Sequence, residues 1–176
     1  MTDSLTVQER AASIKLLLMD CDGVLTDGRI WILGEGEDQK AFHTHDGLGF
    51  DLLHRAGIRS GIISGRSSSA VDQRARALGV SFIHLGSNEK LKAFAETLVA
   101  AEVTKDEVAY IGDDLNDIPL MLRSRLAVAV ANATAETLAK AHYVTKSAGG
   151  KGAVREVIEL ILKAQNRWAE MLEHYS

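Results

Sequence analysis

Cysteine is almost absent from this chain, since Cys21 is the only one among 176 residues. A single thiol excludes an intrachain disulfide framework and a zinc site built from several cysteines. Cys21 also lies between Asp20 and Asp22, whose negative charges oppose a thiolate, and no arginine follows at the spacing of a phosphate-binding loop. We therefore interpret Cys21 as a small core residue and not as a nucleophile.

Long apolar runs and clusters of basic residues are also missing. No run approaches the roughly 20 residues of a membrane span, and residues 1–13 are a polar leader without the apolar centre of a signal peptide. The formal net charge is -4, and no group of Lys and Arg residues is interleaved with aromatic side chains. These absences argue against nucleic-acid and membrane partners and predict a cytoplasmic protein.

The order of the sequence patterns predicts an α/β fold. The chain is 46% hydrophobic and 25% charged, which suits a single globular domain over residues 1–176. Short β-rich runs at 14–20, 59–64, 80–85, 108–113, 126–130 and 143–144 alternate with helical patterns. The predicted helices are 48–56, 68–78, 89–101, 118–123, 135–141 and an apolar-striped C-terminal helix at 152–172. This alternation predicts a three-layer, Rossmann-like parallel sheet built by right-handed crossovers.

Residues 29–44 break the alternation and predict a β-hairpin inserted after the first strand. Its alternating apolar residues have no obvious cover within so small a chain. We therefore expect Trp31 and Phe42 to pack against another subunit. The alternative is a hairpin that folds back onto its own domain.

The segment Asp20-Cys21-Asp22-Gly23-Val24 places two carboxylates where the first predicted strand gives way to a loop. Residues i and i+2 of an extended chain project to the same side. One acid can then attack a phosphorus atom while the other handles the proton of the leaving group, with a hard cation between the charges. The alternative is a solvated turn after a core strand.

Polar side chains also follow the later predicted strands, at the edge where open α/β sheets bind ligands. Ser64 can donate a hydrogen bond to a phosphoryl oxygen, and Arg66 can pair with a second anionic group. Lys90 lies at a predicted helix start, an unfavourable place for a cation unless anions face it. Taken one by one, these residues also fit a helix cap and solvated surface charges.

Residues 113–117 contain three carboxylates and an amide directly after the fourth strand. In an empty site their charges would repel one another, and a hard divalent cation with oxygen ligands removes that cost. His43 and His45 have no third soft ligand beside them, so a zinc site is disfavoured. The sequence therefore predicts a Mg²⁺ site.

The ordered set Asp20-x-Asp22, Ser64, Lys90 and Gly112-Asp113-Asp114-x-x-Asp117 resembles the four motifs of the haloacid dehalogenase-like phosphohydrolases. The match covers residues 14 to about 144. It implies that the first, second and fourth strands lie side by side, with Asp20 as the nucleophile that forms an aspartyl-phosphate and Asp22 as the general acid and base.

The same resemblance implies roles for the remaining motif residues. Ser64 and Lys90 would hold the phosphoryl group. The protein ligands of Mg²⁺ would be Asp20, the backbone carbonyl of Asp22, and Asp113. Asp117 would orient Lys90 or a water molecule on the metal. Because dehalogenases of this superfamily do not need the second acid, Asp22 favours phosphoryl transfer.

A narrower resemblance, nearly end to end, is to the 3-deoxy-D-manno-octulosonate 8-phosphate phosphatases, through segments 23–28, 40–42, 46–49, 64–67 and 149–156. It implies an enzyme without a cap domain, a homotetramer with the hairpins at its centre, and a pocket completed by a neighbouring subunit and its tail, here 174–176. The matching substrate contacts are Asp46, Gly47, Arg66, Arg74, Lys90 and Asn116. His45 departs from the family, whose members usually carry arginine there, and this affects the sugar-acid contacts.

The resemblance implies hydrolysis of 3-deoxy-D-manno-octulosonate 8-phosphate for lipopolysaccharide synthesis. One alternative is a phosphatase for the 9-phosphates of nonulosonic acids, whose members tend to have an acidic residue where Arg66 stands. A second alternative is a non-catalytic tetramerisation module, because related domains are fused to cytidylyltransferases. Such a module could lose its acids freely, yet this chain keeps them. A phosphomutase is disfavoured because no cap would keep water from an aspartyl-phosphate.

Overall fold

Six parallel strands flanked by helices form the centre of the protein, of which the computed structural model describes residues 5–32 and 38–175. The strands are β1 (Leu16–Met19), β2 (Trp31–Ile32), β3 (Asp38–Gln39), β4 (Arg59–Ile63), β5 (Phe82–His84), β6 (Val108–Gly112), β7 (Leu126–Ala129) and β8 (Tyr143–Val144). The helices are α1 (Val7–Ala11), α2 (Thr44–Arg55), α3 (Ser69–Ala77), α4 (Lys90–Ala101), α5 (Ile118–Met121), α6 (Ala135–Leu138), α7 (Ala153–Ala164) and α8 (Trp168–Glu173).

The strands of the main sheet follow the order β5-β4-β1-β6-β7-β8, and each adjacent pair is parallel. β1 lies between β4 and β6, with Leu18 opposite Gly61 on one side and Tyr110 on the other. The predicted α/β fold and the predicted juxtaposition of these three strands are confirmed. Their carboxyl ends therefore meet at one edge of the sheet.

β1 supplies side chains to both faces of the sheet, and all four of its residues are buried. Leu17 and Met19 pack into the core cluster that contains α7, whereas Leu16 and Leu18 pack into the cluster on the opposite face. This division follows from the alternation of side chains along a strand.

Among the described residues, no helix has the length and apolar character needed to cross a membrane.

Both ends of the chain differ from the sequence prediction. Part of the predicted polar leader 1–13 forms α1, whose N-cap residue Thr6 and Glu9 make a reciprocal capping box. The predicted helix 152–172 is two helices, because Asn166 adopts a left-handed φ of 57° between α7 and α8. Asparagine tolerates this conformation better than most residues, and the backbone N–H of Arg167 donates to the carbonyl of Leu162 at 2.8 Å.

The predicted hairpin is present but short. β2 and β3 pair antiparallel, with Trp31 opposite Gln39, and the predicted end of the hairpin at residue 44 already belongs to α2, which starts four residues earlier than expected. Trp31 is 62% exposed and Ile32 is 77% exposed. Phe42, in contrast, is half-buried against the core of its own chain. Residues 33–37 of the hairpin, the first four residues of the leader, and residue 176 of the tail lie outside the described residues.

Asp46 connects α2 to the start of α7. The N-cap residue of α7 is Gly152, which has no side chain to bind the free N–H groups of the first turn. Asp46 Oδ1 instead accepts a hydrogen bond from the backbone N–H of Arg155 at 2.8 Å, and Asp46 is 2% exposed. A carboxylate from α2 therefore caps α7.

We expect Asp46→Ala to lower the free energy of unfolding by about 1 to 2 kcal/mol, the usual cost of a lost helix cap. Asp46→Asn keeps an oxygen acceptor, so its loss should be smaller. Urea denaturation without substrate measures both effects. Asp51→Ala on the same helix is the matched control, since Asp51 is exposed and forms an ion pair with Arg55. A wild-type midpoint for Asp46→Ala would contradict the capping role.

Candidate active site

Polar residues directly follow the carboxyl ends of three adjacent strands of the sheet. Asp20 follows β1, Ser64 follows β4 and Asp113 follows β6. Lys90, in the first turn of α4, reaches the same place, because its Nζ lies 3.2 Å from Asp20 Oδ1. Asp20, Ser64 and Lys90 are all buried. The structure thus gathers the residues that the sequence motifs single out, at the ligand-binding edge of an open α/β sheet.

The loop after β1 turns sharply and makes room for Asp113. Thr26 Oγ1 accepts hydrogen bonds from the backbone N–H groups of Gly23 and Gly28, both at 3.3 Å. Gly23 has a φ of 89°, and a Cβ at this position would lie 2.0 Å from Asp113 Oδ2. Glycine is therefore required both for the turn and for the close approach of the Asp113 carboxylate.

A second loop, residues 145–152, packs directly on the first. A Cβ on Gly149 would lie 1.7 Å from the carbonyl oxygen of Gly23, so only glycine fits between the two backbones. Glu156 of α7 holds this second loop by accepting hydrogen bonds from two of its backbone N–H groups, at 2.8 and 3.0 Å. The glycine-rich segment 149–152 therefore supports the backbone of the loop that carries Asp20 and Asp22.

Asp117 is fully buried and accepts hydrogen bonds on both of its oxygens. Lys90 Nζ and the Tyr110 hydroxyl each donate to Oδ1 at 2.8 Å. The backbone N–H groups of Asp113 and Asp114 donate to Oδ2 at 3.0 and 3.3 Å. Sequence reasoning did not identify Tyr110, although a tyrosine within a buried strand signals a hydroxyl that must find a partner.

The oxygens that remain available for a metal belong to Asp20 and Asp113. One oxygen from each of Asp20, Asp113 and Asp117 lies within 4.8 Å of the others. The two Asp117 oxygens already have donors, whereas Asp20 Oδ1 and Asp113 Oδ1 are buried and accept no hydrogen bond within the described chain. Lys90 approaches Asp20 Oδ1 as an ion pair only. Two buried, hard carboxylate oxygens that accept no hydrogen bond within the described chain fit a Mg²⁺ ion.

The electrostatics of this cluster also favour a cation. Burial, together with the charge of Asp117, raises the pKa of Asp20 to about 6. Burial and the charges of Asp117 and Asp20 raise the pKa of Asp113 to about 7. Burial lowers the pKa of Lys90, but the attraction of Asp117 and Asp20 outweighs it, so the net shift is upward. One ammonium therefore does not balance three carboxylates, and a divalent cation would.

Asp22 lies between two cations. Lys40, directly after β3 of the hairpin, contacts Asp22 Oδ1 with its ammonium, and the Lys40 side chain is fully buried. Arg66 Nε lies 3.7 Å from Asp22 Oδ2, and the Arg66 side chain is 54% exposed. The contact between Lys40 and Asp22 is not predicted from the sequence, because no local pattern indicates that the hairpin folds back onto Asp22.

The predicted substrate contacts fall into two groups. Arg66 lies beside Asp22, and Lys90 and Asn116 line an open cleft of about 470 Å³ next to the acidic cluster. Asp46, Gly47 and Arg74 form a separate group.

In that second group, Asp46 caps α7, and a Cβ on Gly47 would lie 2.8 Å from Arg74 Nη2. The Arg74 guanidinium lies 5.9 Å from the ring centre of Phe42. The contacts of this group therefore connect α2, α3 and Phe42 to one another. Contact with a substrate stays a prediction for all three residues.

Cys21 lies within the core, as the sequence indicates. It is fully buried. Burial, followed by the charges of Asp22 and Asp20, raises the pKa of its thiol well above the ordinary value. A thiolate nucleophile is therefore excluded at this position.

Comparison with known proteins agrees with this geometry. Residues 83–158 match the family model described as haloacid dehalogenase-like hydrolase. The 3-deoxy-D-manno-octulosonate 8-phosphate phosphatase of Yersinia pestis is 47% identical over 161 residues, which are 92% of this chain and 86% of that protein. The protein of the same name from Escherichia coli (strain B / BL21-DE3) is 42% identical, over 95% of this chain and 89% of its own.

A solved structure extends the similarity to three dimensions. It is the 3-deoxy-D-manno-octulosonate 8-phosphate phosphatase of Moraxella catarrhalis in complex with a magnesium ion, a phosphate ion and a KDO molecule. It matches with a TM-score of 0.93 and 42% identity, covering 97% of this chain and 98% of that chain. Sequence and structure thus agree over nearly the whole length, and the chain belongs to the 3-deoxy-D-manno-octulosonate 8-phosphate phosphatase family of haloacid dehalogenase-like hydrolases.

Proposed function

We propose that this protein is a magnesium-dependent phosphatase that hydrolyses 3-deoxy-D-manno-octulosonate 8-phosphate to the free sugar acid and phosphate. The observation that carries the proposal is the pair Asp20 and Asp22 at the end of β1, with Lys90 against the first acid and two cations against the second. Relatives that are 42% to 47% identical carry this activity in their names. The proposed setting is the cytoplasm, in lipopolysaccharide biosynthesis.

In the first half of the reaction, a carboxylate oxygen of Asp20 attacks the phosphorus atom. The bond from phosphorus to the sugar oxygen breaks, and Asp22 in its acid form gives that oxygen a proton, so the free sugar acid leaves. Lys90 and Ser64 hold the oxygens of the transferred phosphoryl group. Asp117 holds Lys90 in place through the 2.8 Å hydrogen bond.

In the second half, Asp22, now a carboxylate, takes a proton from water. The oxygen of that water attacks the phosphorus of the aspartyl-phosphate, which releases inorganic phosphate and restores Asp20. Asp22 is in its acid form again at the end of the cycle. Asp22 therefore acts first as an acid, because the leaving oxygen needs a proton, and then as a base, because the attacking water must lose one.

Asp20, Asp113 and the backbone carbonyl of Asp22 are the proposed protein ligands of Mg²⁺. A bound Mg²⁺ supplies positive charge that offsets the charge of the phosphoryl group and of the carboxylates around it. The two carboxylate oxygens without hydrogen-bond donors support this assignment.

Arg66 supports the octulosonate substrate over a nonulosonic acid 9-phosphate. Its half-exposed guanidinium beside Asp22 can turn from that carboxylate toward an anionic group of the substrate, because exposed ion pairs contribute little.

The complete set of acids and Lys90 argues against the non-catalytic tetramerisation module. A homotetramer with the hairpins at its centre is also part of the proposal, and the exposed Trp31 and Ile32 support it.

We expect Mg²⁺ to raise the melting temperature more at pH 8 than at pH 5. The pKa values of Asp20 and Asp113, about 6 and about 7 against an ordinary 3.8, mean that the folded state holds these protons more tightly than the unfolded chain. Without metal, the free energy of unfolding should therefore fall as the pH rises from about 4 through 7. Mg²⁺ binds the deprotonated acids, so its effect grows over the same range.

Asp113→Asn is the variant that tests this metal assignment by thermal melts with and without Mg²⁺. At pH 8 it should be more stable than the wild type in the absence of metal, because repulsion is reduced, and it should lose most of the Mg²⁺-induced shift. Asp51→Asn serves as the control. An undiminished shift in Asp113→Asn would remove Asp113 from the metal site.

We expect Asp20→Asn to abolish phosphate release from octulosonate 8-phosphate with Mg²⁺ present, because an amide cannot act as the nucleophile. Asp22→Asn should be slower by roughly 10²- to 10⁴-fold, the usual effect of losing a positioned acid or base. Circular dichroism establishes that both variants fold. Full activity of Asp20→Asn would refute the mechanism, and no release by the wild type from this substrate would refute the proposed function.

Arg66→Ala should lower kcat/KM for octulosonate 8-phosphate by roughly 10- to 100-fold, the value of one charge-assisted contact. Hydrolysis of a small generic phosphate ester should change much less, because Ser64 and Lys90 remain. Arg76→Ala is the matched control, since Arg76 is an exposed residue of α3 that pairs with Asp72. Equal losses on both substrates would mean that Arg66 serves the phosphate or the fold and not the sugar acid.

A further inference from the structure

The hairpin places one buried cation in the active site. The side chain of Lys40 is fully buried, and its ammonium contacts Asp22 Oδ1 and lies 3.5 Å from Asp38 Oδ2. Burying a lysine is costly unless its charge is paired. Lys40 is therefore held where it is by the two carboxylates, and one of them is the proposed acid and base.

Asp38, the second carboxylate beside Lys40, is bonded to the start of α3. Asp38 Oδ1 accepts a hydrogen bond from Ser68 Oγ at 2.8 Å. Ser68 is the N-cap residue of α3, where its Oγ also accepts a hydrogen bond from the backbone N–H of Val71 at 3.3 Å. A continuous polar chain thus runs from the start of α3 through Asp38 and Lys40 to Asp22.

The two cations beside Asp22 differ in how firmly they are held. Arg66 is half-exposed and 3.7 Å away from Oδ2, so solvent and salt screen its interaction. Lys40 is buried and in direct contact with Oδ1, where screening is weak. The firmer contact on the Asp22 carboxylate is therefore the one at Oδ1, and Oδ2 lies on the side of the half-exposed Arg66.

We infer that Lys40 is a positioning residue that aims the free oxygen of Asp22 at the leaving group, which makes the hairpin a working part of the active site. The inference rests on the proposed role of Asp22. Protonation of the leaving group matters most when that group is a poor one, such as a sugar alkoxide. It matters little for p-nitrophenolate, which leaves without a proton.

The two leaving groups therefore distinguish a positioning role from a structural one, because a purely structural defect would lower the activity on both substrates alike. Lys40→Met, which is similar in length and uncharged, should lower kcat/KM for octulosonate 8-phosphate by about 10- to 100-fold, within the range of general acid catalysis. For p-nitrophenyl phosphate the loss should be less than about threefold. The quantity kcat/KM reports the steps up to departure of the leaving group, so later hydrolysis of the aspartyl-phosphate does not mask the effect.

Lys40→Arg keeps the charge and should recover part of the activity on the sugar phosphate. Lys163→Met is the matched control, because Lys163 is a half-exposed lysine of α7 that pairs with Glu159. In an Asp22→Asn background, Lys40→Met should cost less than about threefold more, since Lys40 acts through Asp22. This double variant removes the Asp22 carboxylate together with the Lys40 ammonium. Only Asp38 then loses its cation, and Asp38 keeps the 2.8 Å hydrogen bond from Ser68 Oγ, so the double variant keeps the test possible if Lys40→Met alone does not fold.

Equal losses on the two substrates, or a full additional loss in the Asp22→Asn background, would overturn the positioning role of Lys40. Neither outcome would affect the proposed function, which depends on phosphate release by the wild type and on its loss in Asp20→Asn. The two proposals can therefore fail separately.

Discussion

Repulsion between carboxylates that must lie close together is the constraint on which this site depends. Asp20, Asp113 and Asp117 offer oxygens within 4.8 Å of one another at the edge of a buried sheet. In a medium of low polarity such a group is stable only if positive charge or hydrogen-bond donors surround it. The neighbouring residues can be understood by how they meet this requirement.

The negative charge of these carboxylates is offset in two ways, by donors of the protein itself and by a metal ion that can bind and leave. Asp117 has its donors built in, from Lys90, Tyr110 and two backbone N–H groups, so it needs no metal. Asp20 and Asp113 each keep an oxygen that accepts no hydrogen bond from the part of the chain that the structure describes. Lys90 is shared between Asp117 and Asp20, the proposed nucleophile, so one ammonium contacts both carboxylates.

Much of this arrangement could be predicted from the sequence, because it depends on features that are local along the chain. Asp20, Ser64 and Asp113 each follow a recognisable apolar strand, and parallel strands bring their ends to one edge. The glycine at residue 23 follows from the same local pattern. Lys90 was indicated by its place at a predicted helix start, and the role of Asp117 was implied by the resemblance to the family motifs; the structure describes a direct contact between the two.

What could not be predicted depends on how distant segments pack. Lys40 reaches Asp22 only because the hairpin folds back, and the sequence of the hairpin does not indicate its direction. Substrate contact stays a prediction for Asp46, but nothing local in the sequence indicates that Asp46 also caps a helix more than 100 residues later. The break at Asn166 depends on one left-handed residue, which a continuous apolar stripe conceals.

The contact between Gly149 and Gly23 has a consequence for the order in which a working site is completed during synthesis. Every residue proposed to take part in the chemistry has been made once residue 117 is joined to the chain. The loop that carries Asp20 and Asp22, however, rests on a backbone segment made more than 30 residues later. A nascent chain therefore contains all of these side chains before it contains the backbone segment on which their loop packs.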